Sequence, residues 1–399
     1  MITAIFHNMV SKYKTLSKLQ RLCCWILSFH LLLALFANLI ANDKPLLAKY
    51  HGTWSMPALG QGDRLDTINY NNPDWSVKLM PPIPWSSSTI DAKSSGYVSP
   101  LHRSGGHIHW LGTDALGRDV LAGLIHGTRY AWIIGLLSTM FAAIPGIFIG
   151  MMIGYWKDDR LRWSWGQGIA TCIWTALIIY ELSVLWWNVS PPVFCLIFII
   201  AGFIWYGTTK FIWKYTANIG KTTTLPLDQI IMRGIDIFES FPKLLLLMAL
   251  MIMVTRPSIL SLSILIALIR WTLFTQMSRS ETLKESVSNY VIAAENINIP
   301  WYYILIRHIW PNIKSTLMVT AVFTFSASIL LEASLSFIGL GMRLEEVTWG
   351  GLMNEGRNYL PGWWLSLFPG LAIFSLLFAL NWLFIKQKNF DSVEEKSTI

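Results

Sequence analysis

The sequence predicts an all-helical, polytopic membrane protein, and three observations carry that reading. Of 399 residues, 53% are hydrophobic and only 14% charged, against roughly 25% charged in soluble domains. Eight apolar runs lie at 22–41, 130–154, 168–187, 192–213, 235–255, 259–278, 313–338 and 366–386, each near the length of about 20 residues that crosses a hydrocarbon core. The formal charge of +8 is gathered in short Lys/Arg clusters between those runs, which is a pattern of membrane orientation. A soluble enzyme and a nucleic-acid partner are not expected.

Residues 1–21 carry Lys12, Lys14, Lys18 and Arg21, which places them in the cytoplasm by the positive-inside rule. The first span, 22–41, is too long for a signal-peptide core and ends in Asn42-Asp43-Lys44-Pro45 without a small-residue cleavage site, so it is expected to stay as an anchor. Residues 42–129 form the one large extracytoplasmic segment. Their scattered apolar residues predict a cap packed on the membrane domain, and their eight Lys/Arg do not oppose the topology, because long loops are exported regardless of charge. His102, His107 and His109 have no carboxylate or Cys at fixed spacing beside them and read as solvated loop histidines, not a metal site. In the second span Ala142, Gly146, Gly150 and Gly154 recur every four residues, a small face that lets helix backbones approach closely.

The later inner loops hold the cations: Lys157, Arg160 and Arg162; Lys210, Lys214, Lys221 and Arg233; Arg279, Lys284, Arg307 and Lys314; and Lys386, Lys388 and Lys396 around the tail 387–399. The outer turns are poor in charge, and Trp186, Trp187, Trp363 and Trp364 fall at outer ends, where an indole sits well at headgroup level. Eight spans put both termini in the cytoplasm. Cys23, Cys24, Cys172 and Cys195 all lie in or beside apolar runs and offer neither a disulfide framework nor a zinc cluster. Gly220-Lys221-Thr222 has Tyr215 where a phosphate-binding loop needs its first glycine, so no ATPase site is expected in the chain.

A central charge in a span costs about 2.5–3.5 kcal/mol on insertion scales, and Arg270 is the clearest case here. Asp236, Glu239 and Lys243 follow i, i+3, i+7 spacing and are expected on one face near the inner end of the fifth span. Glu181 and Glu332 lie towards outer ends, Glu332 among Ser326, Ser328, Ser334 and Ser336. Arg270, Glu332, Asp236 and Glu239 are candidates for the pathway or an intramembrane polar network; structural pairing and snorkelling are the competing readings.

The cytoplasmic segment 281–312 has two helical stripes, Val287, Val291, Ala294 and Ile297, then Trp301, Ile304, Leu305, His308 and Ile309. They predict a hairpin of two short helices. Asn298 can take the left-handed conformation between them, Pro300 suits the first turn of the second, and Pro311 should end or kink it. The apolar face of such a hairpin docks either on its own membrane helices or on a soluble subunit.

Here Tyr290-Val291-Ile292-Ala293-Ala294 and Arg307-His308-Ile309-Trp310-Pro311-Asn312 resemble the coupling loop of binding-protein-dependent ABC importer permeases. The run Leu111-Gly112-Thr113-Asp114-Ala115-Leu116-Gly117-Arg118-Asp119-Val120-Leu121 is similar to the signature of C-type permeases of dipeptide and oligopeptide importers. Asp228, Met232-Arg233, Asp236, Pro242, the run Glu332 to Gly341 and Trp349-Gly350 fit the same family, and the long outer loop looks most like the branch with the microcin C and peptide permeases. Three departures stand out: Asn298 replaces the coupling-loop glycine, Ile292 replaces its leading acidic residue, and 72 residues separate Tyr155 from Asp228, where the family runs directly on.

The resemblance implies a six-helix ABC importer permease core with an inserted two-helix hairpin (about 156–227) inside a membrane domain at 130–386 of a bacterial inner-membrane protein. It implies a homologous permease as pathway partner, two cytoplasmic ATP-binding subunits that use the ATP, an extracytoplasmic substrate-binding protein delivering peptide, and lipid around the spans. The chain itself would bind no cofactor or metal and catalyse nothing. Ala293, Ala294, Asn298, Arg307, His308 and Pro311 are the implied coupling residues, and Ala294→Asp is expected to abolish uptake by charging the docking face. The competing functions are a self-contained ion-coupled secondary transporter using Arg270, Glu181 or Glu332, and a non-transporting scaffold.

Overall fold

Five long apolar helices dominate a computed structural model of the chain, which describes residues 17–50, 53–59, 75–104, 107–157, 162–163, 207, 223–224, 226–254, 257–341 and 346–397. They are α1 (Lys18–Ile40), α2 (Val120–Trp156), α5 (Ile259–Glu285), a helical run through Trp301–Ile338, and α10 (Trp364–Ser397, apolar to Phe384), each long enough to cross a membrane. Two of the eight predicted spans, 168–187 and 192–213, lie outside the described residues, as does Glu181.

The fifth predicted span, 235–255, is not one helix. α3 (Leu227–Glu239) stops at Ser240, and α4 (Lys243–Ile252) restarts after Pro242. The cause is local: proline lacks a backbone donor and disfavours helical backbone in the residue before it, here Phe241. At 1.5 Å per residue α4 covers about 15 Å, half a hydrocarbon core.

The chain divides into two units. The first comprises Met1–Phe148, Phe241–Ser278 and Trp310–Ile399. Its core joins α1, α2, α8 (Trp310–Ile338), α9 (Trp349–Asn358) and α10: Ala131, Phe325, Ile329, Ala333, Trp349, Ile373, Leu376 and Leu380 are buried together. Trp349 Nε1 donates to the Leu124 carbonyl at 3.0 Å. Gly146 brings α2 against α5, since a Cβ there would lie 2.6 Å from the Trp271 carbonyl and 2.7 Å from Phe274 Cβ. The predicted small face is therefore a close helix contact.

The segment read as a cap belongs to this same unit. Strands β1 (Leu47–Tyr50), β2 (Thr53–Ser55) and β3 (Trp75–Leu79) form an antiparallel sheet ordered β2-β1-β3, and β4 (His102–Ser104) pairs with β5 (His107–His109). Ile83 and Trp85 pack on Ala41, Ala122 and Ile125 at the membrane helices. α2 starts ten residues earlier than the predicted 130 because the Leu111–Leu121 signature builds its start. Asp114 accepts from the Leu116 and Arg118 amides and from Arg118 Nε, then Asp119 Oδ1 accepts the Ala122 N–H at 2.8 Å, satisfying an amide that the first helical turn leaves open. Gly117 turns the chain at φ +86°, where a Cβ would meet the Asp91 carbonyl at 2.3 Å.

The second unit comprises Ile149–Ser240 and Arg279–Ile309. Arg162–Trp163 pairs antiparallel with Thr223–Thr224, so the residues that flank 164–222 meet.

Candidate functional site

The candidate coupling hairpin begins where α5 ends. Ser288 precedes α6 (Asn289–Asn296) in extended conformation. At the other end Asn298 lies at φ +58°, its N–H donating to the Glu295 carbonyl (2.9 Å) while the Ile299 N–H reaches Ala294 (3.1 Å). This pair of bonds is a Schellman motif, which closes open carbonyls and needs a left-handed residue. Asparagine is the side chain besides glycine that takes that conformation routinely, so the replacement preserves the turn.

Pro300 caps the next helix from outside and is not within its first turn; α7 (Trp301–Tyr303) follows it. Of the end or kink predicted at Pro311, the end does not occur. A π-helical stretch, Ile304–Ile309, runs into α8, and Pro311 is the second residue of α8. Wider π turns pair each carbonyl five residues ahead, which steps around the missing proline N–H. The second hairpin helix and the seventh span are therefore one continuous run.

The stripes sort differently from the sequence pattern. Val291 and Ala294 are buried, as are Ile304, Leu305 and Ile309, whereas Val287 and Ile297, at 61% and 72%, are exposed because they lie outside the eight residues of α6. Ala294, 5% exposed, faces inward, whereas Ala293, Ile297, Asn298 and Arg307 are exposed. His308 is half-buried beside Tyr290 and Tyr303, and Pro311 is exposed on α8. Tyr290 OH donates to Glu285. At the base of the hairpin Arg279 donates Nε and Nη2 to the two carboxylate oxygens of Asp228, a bidentate fork that fixes α3 against the end of α5. Sequence reasoning noted both residues without pairing them.

The other candidates are carried by three helices, α3, α5 and α8. Asp236 and Glu239 are on α3, while Lys243 starts α4 beyond the Pro242 break, so the three do not share a helix face. Asp236 is exposed and 3.7 Å from Arg233. Arg270 is half-buried near the middle of α5. Glu332 is buried in α8, accepting from Ser336 Oγ at 2.7 Å and from the Thr348 hydroxyl. Thr348 is also the N-cap of α9, accepting from Gly351 N. The carboxyl therefore sits at a helix N-terminus, where the helix dipole favours negative charge.

His109 overturns the solvated-loop expectation. It is fully buried, stacked on Trp85 at 4.8 Å, with Nδ1 2.8 Å from Asp119 and Nε2 3.4 Å from Asp91. Burial pushes the imidazole pKa down, but hydrogen bonds and charge from Asp119 and Asp91 outweigh it, and the pKa is raised. Its partners lie 18 and 10 residues away in sequence, beyond any short-range spacing rule. No group of three metal-ligating side chains occurs among the described residues.

Comparison with known proteins places these features. Residues 224–385 match the family described as binding-protein-dependent transport system inner membrane component. The chain is 26% identical over 393 residues to the inner membrane ABC transporter permease protein YejE of Escherichia coli K12, covering 94% of this chain and 93% of that protein. It is 26% identical to the di/tripeptide transport system permease protein DppC of Pseudomonas aeruginosa over 71% of both chains. The glutathione transport system permease protein GsiD of Pectobacterium atrosepticum is 25% identical over 77% of this chain and 78% of its own. None of these likenesses supports the ion-coupled alternative. The hairpin, α8 and α9 fall within the matched segment, and over most of its length the chain is similar to permease proteins of ABC transport systems.

Proposed function

We propose that this permease pairs with a homologous permease to form a pathway for peptides, delivered by an extracytoplasmic binding protein and driven by two cytoplasmic ATPases. The relatives named for di/tripeptide and glutathione transport support the cargo class. ATP is bound and hydrolysed in the partner subunits, and this chain binds no cofactor of its own. Both termini face the cytoplasm. The hairpin from α6 to α7 is the lever: ATP binding in the partners moves it, and the membrane helices pass between inward-open and outward-open states, a two-state element biased from both faces.

The observation that carries this reading is the exposed apolar surface of the hairpin, formed by Ala293, Ile297, Trp301, Tyr302 and Ile306 around the Asn298 turn. An apolar surface of this kind between spans marks an interaction site. The test is affinity purification from native membranes through a C-terminal tag. Wild type is expected to bring down a second permease and an ATPase. Ala293→Asp, an exposed position where a charge costs the fold little, is expected to lose the ATPase, keep the permease and abolish uptake. Undiminished ATPase recovery and uptake in that variant would remove the hairpin from the coupling role. Ala294→Asp serves as contrast, since burying a charge there is expected to lower the yield of folded protein.

A further inference from the structure

The cap ends in a surface that the transport reading leaves unused. Along α10 the exposed apolar residues Trp363, Leu367, Leu371 and Phe374 follow one another at helical spacing, a single face of a spanning helix directed away from the protein core. That face does not stop where the span begins at Trp364. Trp364 itself is buried, donating Nε1–H to the Thr113 carbonyl at 3.3 Å, and this bond fixes the base of the β4–β5 hairpin at the height of the helix end. Leu101 and Trp110 flank the open end of that hairpin, with the Leu101 N–H on the His109 carbonyl at 2.9 Å. They are 66% and 53% exposed, and Arg103 between them is exposed as well.

We propose that the β4–β5 hairpin is a membrane-interface anchor: Leu101 and Trp110 insert into the headgroup region beside Trp363, with Arg103 directed at lipid phosphate. The occupant is lipid because the Trp364–Thr113 bond ties the base of the hairpin to the residue at which the apolar span begins. The surface's composition of indole, aliphatic and guanidinium groups is what that layer selects. Seating the cap at two points, through α2 and through lipid, holds it upright over the outer ends of α1 and α10. The inference rests on the chain spanning a membrane and is independent of its cargo and of ATPase coupling.

The experiment uses the full chain with Cys23, Cys24, Cys172 and Cys195 replaced by alanine, nitroxide-labelled singly at Leu101→Cys, Trp110→Cys or Lys93→Cys. Each is reconstituted in phosphatidylethanolamine–phosphatidylglycerol vesicles. Lys93 is an exposed cap residue and serves as the aqueous reference. Power-saturation spectra are expected to shift towards oxygen and away from a water-soluble nickel chelate at 101 and 110 relative to 93. Equal nickel access at all three positions overturns the proposal, and so does a label shielded from both quenchers, which would mean that protein covers the hairpin. Should Trp110→Cys fail to yield a monodisperse protein, the reading at 101 decides.

Discussion

His109 lies between two carboxylates, and the sign of its effect on stability follows from the raised pKa. The stabilisation is fully present below the ordinary histidine value of 6.5 and is lost as pH rises through the higher folded value. Protection factors of the cap amides, corrected for the intrinsic rise of exchange rate with pH, are therefore expected to fall between mildly acidic and alkaline pH in wild type, and to lose that dependence in His109→Gln. A profile unchanged by the substitution would mean that the proton is elsewhere. Gly146 makes a second claim at this scale. Valine there would push into the Trp271 carbonyl and Phe274, and overpacking costs about 1–3 kcal/mol, so Gly146→Val is expected to lower Tm in detergent while an exposed control such as Met140→Val leaves it in place. The small-residue stripe was legible from four-residue spacing alone. The carboxylate partners of His109 were not, because Asp91 and Asp119 reach it only through the fold of the cap.

Among the elements, the proposed coupling hairpin turns on one left-handed residue, Asn298. Asn298→Gly is expected to preserve the turn and coupling, whereas Asn298→Val puts a β-branched side chain at φ +58°, with a strain of order 1–3 kcal/mol. Substrate-stimulated ATP hydrolysis by the assembled transporter reads the difference: near wild-type for glycine, strongly reduced for valine. Equal rates would show that the turn geometry does not limit coupling. The sequence exposed the asparagine and both flanking prolines, since turn chemistry is local. At Pro311 the helix is distorted by a π-helical stretch and does not end, whereas Phe241-Pro242 breaks a segment that hydropathy alone joins. The second signal was present in the sequence, because the residue before proline avoids helical backbone; apolar composition masked it.

For the whole molecule, the paired residues that flank 164–222, Arg162–Trp163 with Thr223–Thr224, make the intervening segment topologically removable. Replacing 164–222 by a short Asn-Gly turn is expected to leave membrane insertion and recovery of the partner permease intact. Loss of both would make the insert part of the structural core. Fold class, membrane residence and five of the eight spans were determined by the sequence itself, because hydropathy and charge clustering act over short stretches of chain. Tertiary structure alone decided that Ala294 faces inward and Ala293 outward, that Asp228 grips Arg279, and that His109 is buried between two aspartates. Each of these depends on which distant segments share a surface, and a stripe of apolar residues says that a face is covered without saying by what.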